Sequence, residues 1–309
     1  MSAKAAPNVK RRFDTAERRR YPRRVSSPPP ATRTVQVGDV RLAYLDFRGD
    51  GPPLVFAHAT GFHAWLWLPY VRRFAGRYRI VAIEHRGHGR SDKPPTGYRW
   101  EVFGRDFAAF LDALDLRDVR AVGHSKGATA IAAAAAGGTR RLACAVLLEP
   151  VLFPGSVATA PVDESPMATG TRRRRSVWPD RAAMFASLCP KLPFAAWEEE
   201  FVRLYVEHGV ADRPDGQVEL LCPPDIEAQV YAAAPMTDGF ALLEHLAVPT
   251  LVVRGTHSPG LGADETAETL RRLPAGRLVT VPGAGHFVPM ERSAAVGDAI
   301  ARFLDDGTA

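Results

Sequence analysis

The residues most able to do chemistry surround a serine between two glycines. Ser125 is the centre of the segment Gly123-His-Ser-Lys-Gly127, which follows a short apolar run at 119–122 and precedes a run of small residues at 128–136. A sharp strand-to-helix turn of this kind lifts the serine hydroxyl above a sheet, and its neighbours must be small. The backbone N–H of Lys126 would lie at the helix N-terminus, where it can stabilise an oxyanion. The segment therefore predicts a nucleophilic serine for acyl chemistry.

A histidine near the end of the chain is the predicted base. His286 lies in a Gly- and Pro-rich loop between a predicted strand at 277–281 and a predicted helix at 293–304. Such a loop can place an imidazole in a cleft, within hydrogen-bonding reach of a serine. Two other histidine pairs could suggest a metal site: His58 with His63, and His85 with His88. No Cys or carboxylate completes a ligand set at the usual spacing, so we expect no metal and no cofactor.

Alternating strands and helices are predicted to position these residues. Short apolar runs indicate strands buried on both faces, and longer stretches with an apolar stripe indicate helices. This alternation favours a parallel sheet with helices on both faces, and ligands bind beyond the carboxyl ends of its strands. A hairpin with a Gly38-Asp39 turn comes first. The predicted strands lie at 34–37, 40–47, 53–58, 79–84, 119–122, 142–148, 249–254 and 277–281, and the predicted helices at 65–76, 101–116, 128–136 and 293–304.

The stretch from 152 to 240 interrupts this alternation. It contains several proline breaks and a predicted helix at 195–208. We predict a helical cap over 152–240, inserted into a core formed by 34–151 and 241–309. A basic run at 172–175 within it could bind a carboxylate or phosphate of a substrate, or be a solvated loop.

The composition limits the class of protein. The 309 residues are 46% hydrophobic and 24% charged, which is typical of a globular chain with a sizeable core. The longest apolar run, at 128–136, is too short for a transmembrane helix. Three cysteines without a C-x-x-C pair argue against a disulfide framework or a cysteine-based zinc site. A reducing, cytoplasmic compartment is therefore expected.

Residues 1–33 carry the positive charge of the chain. They hold ten Lys and Arg residues against two acids, and so contribute +8, while the rest contributes −2 to the formal net charge of +6. With three consecutive prolines and few apolar residues, this basic tail is predicted to be disordered. It could bind nucleic acid or an anionic surface by releasing counterions, or serve in targeting. A passive solvated extension is the more usual property of such a run.

Four segments, taken in order, resemble the α/β-hydrolase family over residues 34–305. The resemblance implies a mostly parallel eight-stranded sheet, a cap after the sixth strand and a Ser–His–acid triad. The order of Ser125 before His286 is the one that this fold requires. The four segments are Phe56-Ala-His-Ala-Thr-Gly-Phe62, His85-Arg-Gly-His-Gly-Arg-Ser-Asp92, Gly123-His-Ser-Lys-Gly127 and Pro282-Gly-Ala-Gly-His-Phe287.

The chain departs from the family at the acid of the triad. The acid usually follows the seventh strand, where this chain has Ser258, and a serine carries no charge to stabilise an imidazolium. Some relatives, including some haloalkane dehalogenases, place their acid after the sixth strand. Glu149 stands there in this chain and is our predicted acid. Asp264 and Glu265 are the alternatives, although they open a predicted helix, where acids are common.

The resemblance also assigns the second oxyanion donor. It implies that the N–H of Thr60 joins that of Lys126 in the oxyanion hole. The side chain of Lys126 is expected to leave the cleft along the helix surface. Aromatic residues near the oxyanion segment and in the cap predict an apolar entrance for a hydrophobic acyl group. The predicted pocket residues are Phe62, Trp65, Trp178 and Trp197.

A serine nucleophile favours hydrolysis through an acyl-enzyme over dehalogenase or epoxide hydrolase chemistry, for which the family uses Asp. We therefore predict a serine hydrolase that acts on an ester or thioester of a small hydrophobic acyl group. A carbon–carbon bond hydrolase or an acyltransferase could use the same triad. Two alternatives belong to other functional classes, since fold alone does not determine function. One is a non-catalytic ligand receptor on this fold, and the other is a scaffold that binds RNA or a membrane surface through the basic tail.

Overall fold

The computed structural model describes residues 30–154, 163 and 165–306. The predicted basic tail therefore lies almost entirely outside the described residues. Its predicted end at residue 33 is wrong, because the first strand already begins at Ala31. Ala31 pairs with Asp46 and Arg33 with Tyr44 in an antiparallel ladder. These backbone pairings make residues 31–33 part of the sheet.

Eleven strands are found among the described residues, and eight of them form one sheet. In chain order they are β1 (Ala31–Val37), β2 (Val40–Asp46), β3 (Pro53–Ala57), β4 (Arg79–Ile83), β5 (Val119–His124), β6 (Leu142–Leu148), β7 (Val177–Trp178), β8 (Val210–Asp212), β9 (Val218–Leu220), β10 (Thr250–Gly255) and β11 (Gly276–Val281). The large sheet has the order β1-β2-β4-β3-β5-β6-β10-β11. Only the β1–β2 and β2–β4 pairs are antiparallel. This order confirms the predicted fold class and puts the carboxyl ends of β5, β6, β10 and β11 side by side.

Helices cover both faces of this sheet, and two apolar clusters form the core on its two sides. No helix of the described ranges is long and apolar enough to cross a bilayer. The predicted helix at 65–76 begins as a 3-10 turn, Ala64–Trp67, and becomes α-helical where Pro69 fits the first turn. The α-helices are α1 (Leu68–Phe74), α2 (Trp100–Ala113), α3 (Lys126–Ala136), α4 (Pro166–Arg172), α5 (Arg181–Leu188), α6 (Glu199–His208), α7 (Pro224–Ala233), α8 (Gly239–Leu243), α9 (Ala263–Arg272), α10 (Val288–Glu291) and α11 (Ser293–Asp306).

The segment between β6 and β10 contains more than helices. It holds α4 to α8, and also β7, β8 and β9, which form a small antiparallel sheet in the order β7-β9-β8. The prediction of a purely helical insertion omitted this sheet. Its strands are only two or three residues long, too short for an alternating apolar pattern to be recognised in the sequence.

Close packing of α2 against α3 supports the helix that follows the serine. A Cβ on Gly104 of α2 would collide with the Cβ of Ala133 on α3. The small residues of α3 therefore let two helices approach one another, and glycine at 104 is required by that approach.

We expect Gly104→Ala to lower the free energy of unfolding by about 1–3 kcal/mol, because an added methyl group overpacks the α2–α3 contact. The matched control is Gly170→Ala in α4, where an added Cβ meets no atom within 4 Å and should be neutral or stabilising. Urea denaturation of both variants measures the difference. Equal unfolding midpoints would contradict the packing argument.

Candidate active site

The candidate nucleophile lies on a strained turn between β5 and α3. Ser125 has φ 55° and ψ −122°, a conformation that residues other than glycine keep only where the surroundings fix it. Its N–H donates to the Leu148 carbonyl at 2.9 Å, and its carbonyl accepts from the Ala128 N–H at 3.0 Å. A Cβ on Gly123 or Gly127 would collide with neighbouring backbone. The turn therefore fixes the serine at the carboxyl end of β5.

His286 lies within hydrogen-bond distance of this serine. Its Nε2 is 3.0 Å from Ser125 Oγ. The residue before the serine, His124, donates its Nε2–H to the carbonyl oxygen of His286 at 2.8 Å. Burial, together with the neighbouring His286, lowers the pKa of His124 to about 3. The His124 ring therefore stays neutral, and its remaining proton serves to hold the loop that carries His286.

The Glu149 carboxylate, which follows β6, lies at the other side of the imidazole. Its Oε2 is 3.3 Å from His286 Nδ1 and accepts the Ser258 hydroxyl at 2.5 Å. Its Oε1 accepts the Gly255 N–H at 2.7 Å. Glu149 is only 1% exposed, so these donors compensate a charge that water does not reach. A His286 ring protonated on Nδ1 would donate to Glu149 and leave Nε2 free to accept the proton of Ser125.

The geometry distinguishes Glu149 from the other acids considered. Ser258 stands at the usual position of the acid and donates its hydroxyl proton to Glu149. Asp264 and Glu265 lie in the first turn of α9, and within the described ranges neither forms a hydrogen bond or ion pair with His286. The structure thus brings the predicted acid to the imidazole and leaves both alternatives on their helix.

The two predicted oxyanion donors lie at neighbouring strand ends. Lys126 is the first residue of α3, and N–H groups of a first helical turn have no partner within the helix. Thr60 lies in the turn after β3, which pairs with β5. His58 holds this turn, because its Nδ1–H donates to the Ala59 carbonyl at 2.7 Å while its Nε2 accepts the His85 N–H at 3.1 Å. Both backbone amides are therefore found at the edge that carries the serine.

Comparison with known proteins agrees with this arrangement. A model of the alpha/beta hydrolase family matches residues 54–299. The chain belongs to this family. It is 29% identical over 276 residues to 2-(acetamidomethylene)succinate hydrolase of Mesorhizobium japonicum, covering 89% of this chain and 95% of that protein. It is 31% identical over 247 residues to a non-heme chloroperoxidase of Streptomyces lividans, covering 75% and 88%.

A solved structure supports the same assignment. The crystal structure of E-2-(acetamidomethylene)succinate hydrolase superposes with a TM-score of 0.77 at 27% identity, covering 89% of this chain and 99% of that chain. The family match and these named relatives together establish that the protein is an α/β hydrolase and an enzyme.

The side chain of Lys126 is buried in this α/β hydrolase. The expectation that it leaves along the helix surface is wrong, because its Nζ lies 4.1 Å from the centroid of the Phe103 ring on α2, and Lys126 is 0% exposed. Burial lowers the pKa of this amine well below its ordinary value, although Cys222 and Asp106 oppose the shift. A neutral amine can remain in the core without a carboxylate partner. Only the backbone N–H of Lys126 is therefore available to the cleft, and its amine is not.

Two of the predicted pocket residues lie beside the candidate triad. The ring of Phe62 is stacked 6.1 Å from that of His124. The ring of Trp197 lies 5.3 Å from Phe62 and 5.5 Å from Phe287, the residue after His286. These rings form an apolar wall next to the serine and the base.

The contacts of the other two pocket residues lie elsewhere. Trp65 stacks on His208 at 3.9 Å, at the end of α6. Trp178 lies 4.3 Å from the guanidinium of Arg175, within the cap. The structure therefore does not bring either ring to the triad by any contact among the described residues. Aromatic residue type predicts an apolar surrounding, but it does not show which cavity the ring faces.

A cap residue that the sequence did not indicate touches the oxyanion turn. A Cβ on Gly61, which has φ 76°, would collide with the carboxylate of Glu227 on α7. Glu227 accepts Arg174 Nη1 at 2.5 Å, and Arg174 Nη2 donates to the Tyr205 hydroxyl at 2.8 Å. Glu227 and Gly61 are far apart in the sequence, so no spacing pattern could have linked them.

Two further neighbours of the triad, His124 and Phe287, were visible but were not interpreted. Each is adjacent to a triad residue in a motif that the sequence analysis singled out. Their residue types alone are equally typical of core positions, and only the fold shows that His124 holds the loop of His286 and that Phe287 lies beside Trp197.

Burial of His63 beside the oxyanion turn couples stability to pH. Its ring lies 5.9 Å from that of Tyr205 and is 2% exposed. Burial lowers the pKa of His63 to about 3, whereas an unfolded chain restores a value of about 6.5. The unfolded state therefore binds more protons below pH 6.5, and stability falls as pH falls from there towards 3.

We expect the free energy of unfolding to fall from pH 7.5 to pH 5 in both proteins, but by about 2 kcal/mol less in His63→Phe than in the wild type. The variant has no histidine at position 63 to take up a proton on unfolding. Urea denaturation at both pH values measures this difference. The same change at His245, which is exposed, is the control and should leave the pH dependence as it is. An unchanged pH dependence in His63→Phe would contradict the argument.

Proposed function

We propose that this α/β hydrolase cleaves esters or thioesters of small hydrophobic acyl groups through an acyl-enzyme. Ser125 is the nucleophile, His286 the general base and Glu149 the acid of the triad. The observation that carries the proposal is the unbroken set of contacts from Ser125 Oγ to His286 Nε2 at 3.0 Å and from His286 Nδ1 to Glu149 Oε2 at 3.3 Å.

The first half-reaction follows from these positions. Ser125 Oγ attacks the acyl carbon while its proton moves to His286 Nε2. The carbonyl oxygen becomes an oxyanion, and the N–H groups of Thr60 and Lys126 donate to it. The charge of Glu149 stabilises the imidazolium, which then gives its proton to the leaving oxygen or sulfur as the bond to carbon breaks. The product of this half is an acyl group on Ser125.

Water completes the reaction by the same groups. His286 removes a proton from water, whose oxygen attacks the acyl carbon, and a second oxyanion forms at the same two amides. The imidazolium then protonates Ser125 Oγ as it leaves, and a carboxylic acid is released. The aromatic wall of Phe62, Trp197 and Phe287 favours an apolar acyl group, since each buried CH₂ contributes about 0.8 kcal/mol.

Amide hydrolysis on the same triad is the second candidate. It is favoured by two relatives whose names specify amide-bearing succinates. One is the Mesorhizobium enzyme, and the other is (E)-2-((N-methylformamido)methylene)succinate hydrolase of Acinetobacter baylyi, at 23% identity. A carbon–carbon hydrolase or an acyltransferase would differ in the bond broken or in the acceptor, and not in the nucleophile.

The contact of Glu149 with His286 supports catalysis over the alternative of a ligand receptor. That alternative rested on the uncharged Ser258, and a carboxylate within 3.3 Å of the imidazole supplies the missing charge. The scaffold alternative concerns the basic tail, which lies outside the described residues. Cys144, Cys189 and Cys222 are all free thiols, which supports the proposed cytoplasmic compartment.

A fluorophosphonate probe tests the nucleophile. We expect the folded wild type to become labelled once, on Ser125, because an activated serine attacks the phosphorus centre as it would an acyl carbon. Ser125→Ala should not be labelled, and heat-denatured wild type is the control for nonspecific reaction. Peptide mass spectrometry locates the label. A folded wild type that resists the probe would rule out the hydrolase.

The assignment of Glu149 as the acid is tested by removing its carboxylate and by placing a carboxylate at position 258 instead. We expect Glu149→Gln to lower kcat/KM for p-nitrophenyl acetate by about 10³-fold or more, because Gln cannot stabilise the imidazolium. The control Asp264→Asn should stay within about twofold. In Glu149→Gln/Ser258→Asp, a carboxylate returns at the neighbouring strand end, and we expect at least about tenfold recovery.

Two outcomes would contradict the assignment of the acid. One is equal loss in Glu149→Gln and Asp264→Asn. The other is near-normal turnover by Glu149→Gln in a protein whose unfolding midpoint is unchanged.

A further inference from the structure

A cavity of about 320 Å³ in the cap combines cationic and apolar walls. Its volume is in the range of small-molecule sites, which are mostly apolar with a few placed polar groups. Its described lining residues all come from the segment between β6 and β10. The apolar part includes Trp178, Met184 and Phe194, and the cations are Arg174, Arg175 and Lys191, with no acidic residue among the lining residues that the structure describes.

Two of these cations have no carboxylate partner in the part of the chain that the structure describes. Arg175 donates its Nε–H to the Val177 carbonyl at 2.6 Å and lies 4.3 Å from the Trp178 ring. Lys191 Nζ donates to Ser187 Oγ at 3.3 Å. Both side chains are exposed at the rim of the cavity, and neither contact neutralises their charge.

The third cation, Arg174, is held by partners other than a ligand. Arg174 binds the buried Glu227 and the Tyr205 hydroxyl, so its guanidinium is fixed and its charge is offset. Arg175 and Lys191 therefore provide the positive charge that a ligand would meet, while Arg174 supplies a fixed edge of the cavity.

A second cavity, between the cap and α1, has cations that are paired with acids. It has about 310 Å³, and its cations are accompanied by Glu200 and Glu207 in the lining. Arg72 pairs with Glu200 and Arg181 with Asp212. The contrast indicates that the charge of the first cavity is a local property and not a general excess of arginine in the cap.

Aromatic rings separate the charged cavity from the triad. The ring of Phe194, which lines the cavity, lies 4.8 Å from Trp197 and 5.1 Å from Tyr205. Tyr205 in turn lies 6.0 Å from Phe62 beside the candidate triad. The cavity is thus adjacent to the acyl pocket but does not contain the serine.

We propose that this cavity binds an amphipathic carboxylate, with the carboxylate at Arg175 and Lys191 and the apolar body against Trp178, Met184 and Phe194. The ligand is either the acidic end of a substrate or a separate carboxylic acid, and the chemistry of recognition is the same. The inference goes beyond the proposed function, because binding requires no turnover by Ser125.

Calorimetric titration of the Ser125→Ala protein with sodium octanoate tests the proposal. We expect saturable binding whose Kd rises about tenfold in Arg175→Gln and about tenfold in Lys191→Gln, since each change removes one charged partner. Arg173→Gln removes the same charge from an exposed neighbour outside the lining and should leave the Kd unchanged. Uncharged octanamide should bind at least about tenfold more weakly. Circular dichroism confirms that each variant is folded.

Several results would overturn the proposal: no octanoate binding, equal binding of octanamide, or an unchanged Kd in the Arg175→Gln/Lys191→Gln double variant. Kinetics of the wild type on p-nitrophenyl acetate, with and without octanoate, show whether the carboxylate belongs to a substrate or to a separate ligand. Octanoate that raises the KM only would indicate a substrate subsite continuous with the acyl pocket, and octanoate that changes kcat would indicate a separate ligand. Either pattern supports the cavity only if Arg175→Gln weakens it.

Discussion

The buried carboxylate of Glu149 is the interaction on which the rest of the site depends. It accepts the Gly255 amide and the Ser258 hydroxyl, and it lies within reach of the His286 ring. An uncompensated charge at this depth would cost several kcal/mol, and these donors offset that cost. Gly255 and Ser258 lie at the end of β10, and His286 follows β11. Glu149, which follows β6, therefore links the ends of three strands.

The sheet itself delivers this carboxylate and the serine with little freedom. The Ser125 N–H donates to the Leu148 carbonyl, and the Glu149 N–H donates to the Val253 carbonyl at 2.8 Å. Backbone pairing of β5, β6 and β10 therefore continues up to Ser125 and Glu149, the proposed nucleophile and acid. Ser125 and Glu149 both have positive φ, at 55° and 47°. Each strand thus ends in a turn that L-residues adopt only under constraint.

Much of this could be predicted from the sequence because it follows from local patterns. Ser125 was marked by its flanking glycines, and the alternation of strands and helices fixed the sheet. The place of Glu149 beside His286 could be predicted because Ser258 stands where the family usually has its acid, and adjacent strand ends meet at one edge of the sheet. The depth of Lys126 could not, since burial of an amine depends on how closely α2 approaches α3. The positions of Trp65 and Trp178, and the small sheet of the cap, depend on long-range packing that a single chain pattern does not encode.

The contact between Gly61 and Glu227 has a consequence for how this enzyme can change. The carboxylate on α7 occupies the space that a side chain at 61 would need, and that glycine lies next to Thr60, the proposed oxyanion donor. A cap without a side chain at the place of Glu227 would leave a void against the turn at Gly61. Recombination with another family member must therefore transfer α7 and the turn at Gly61 together.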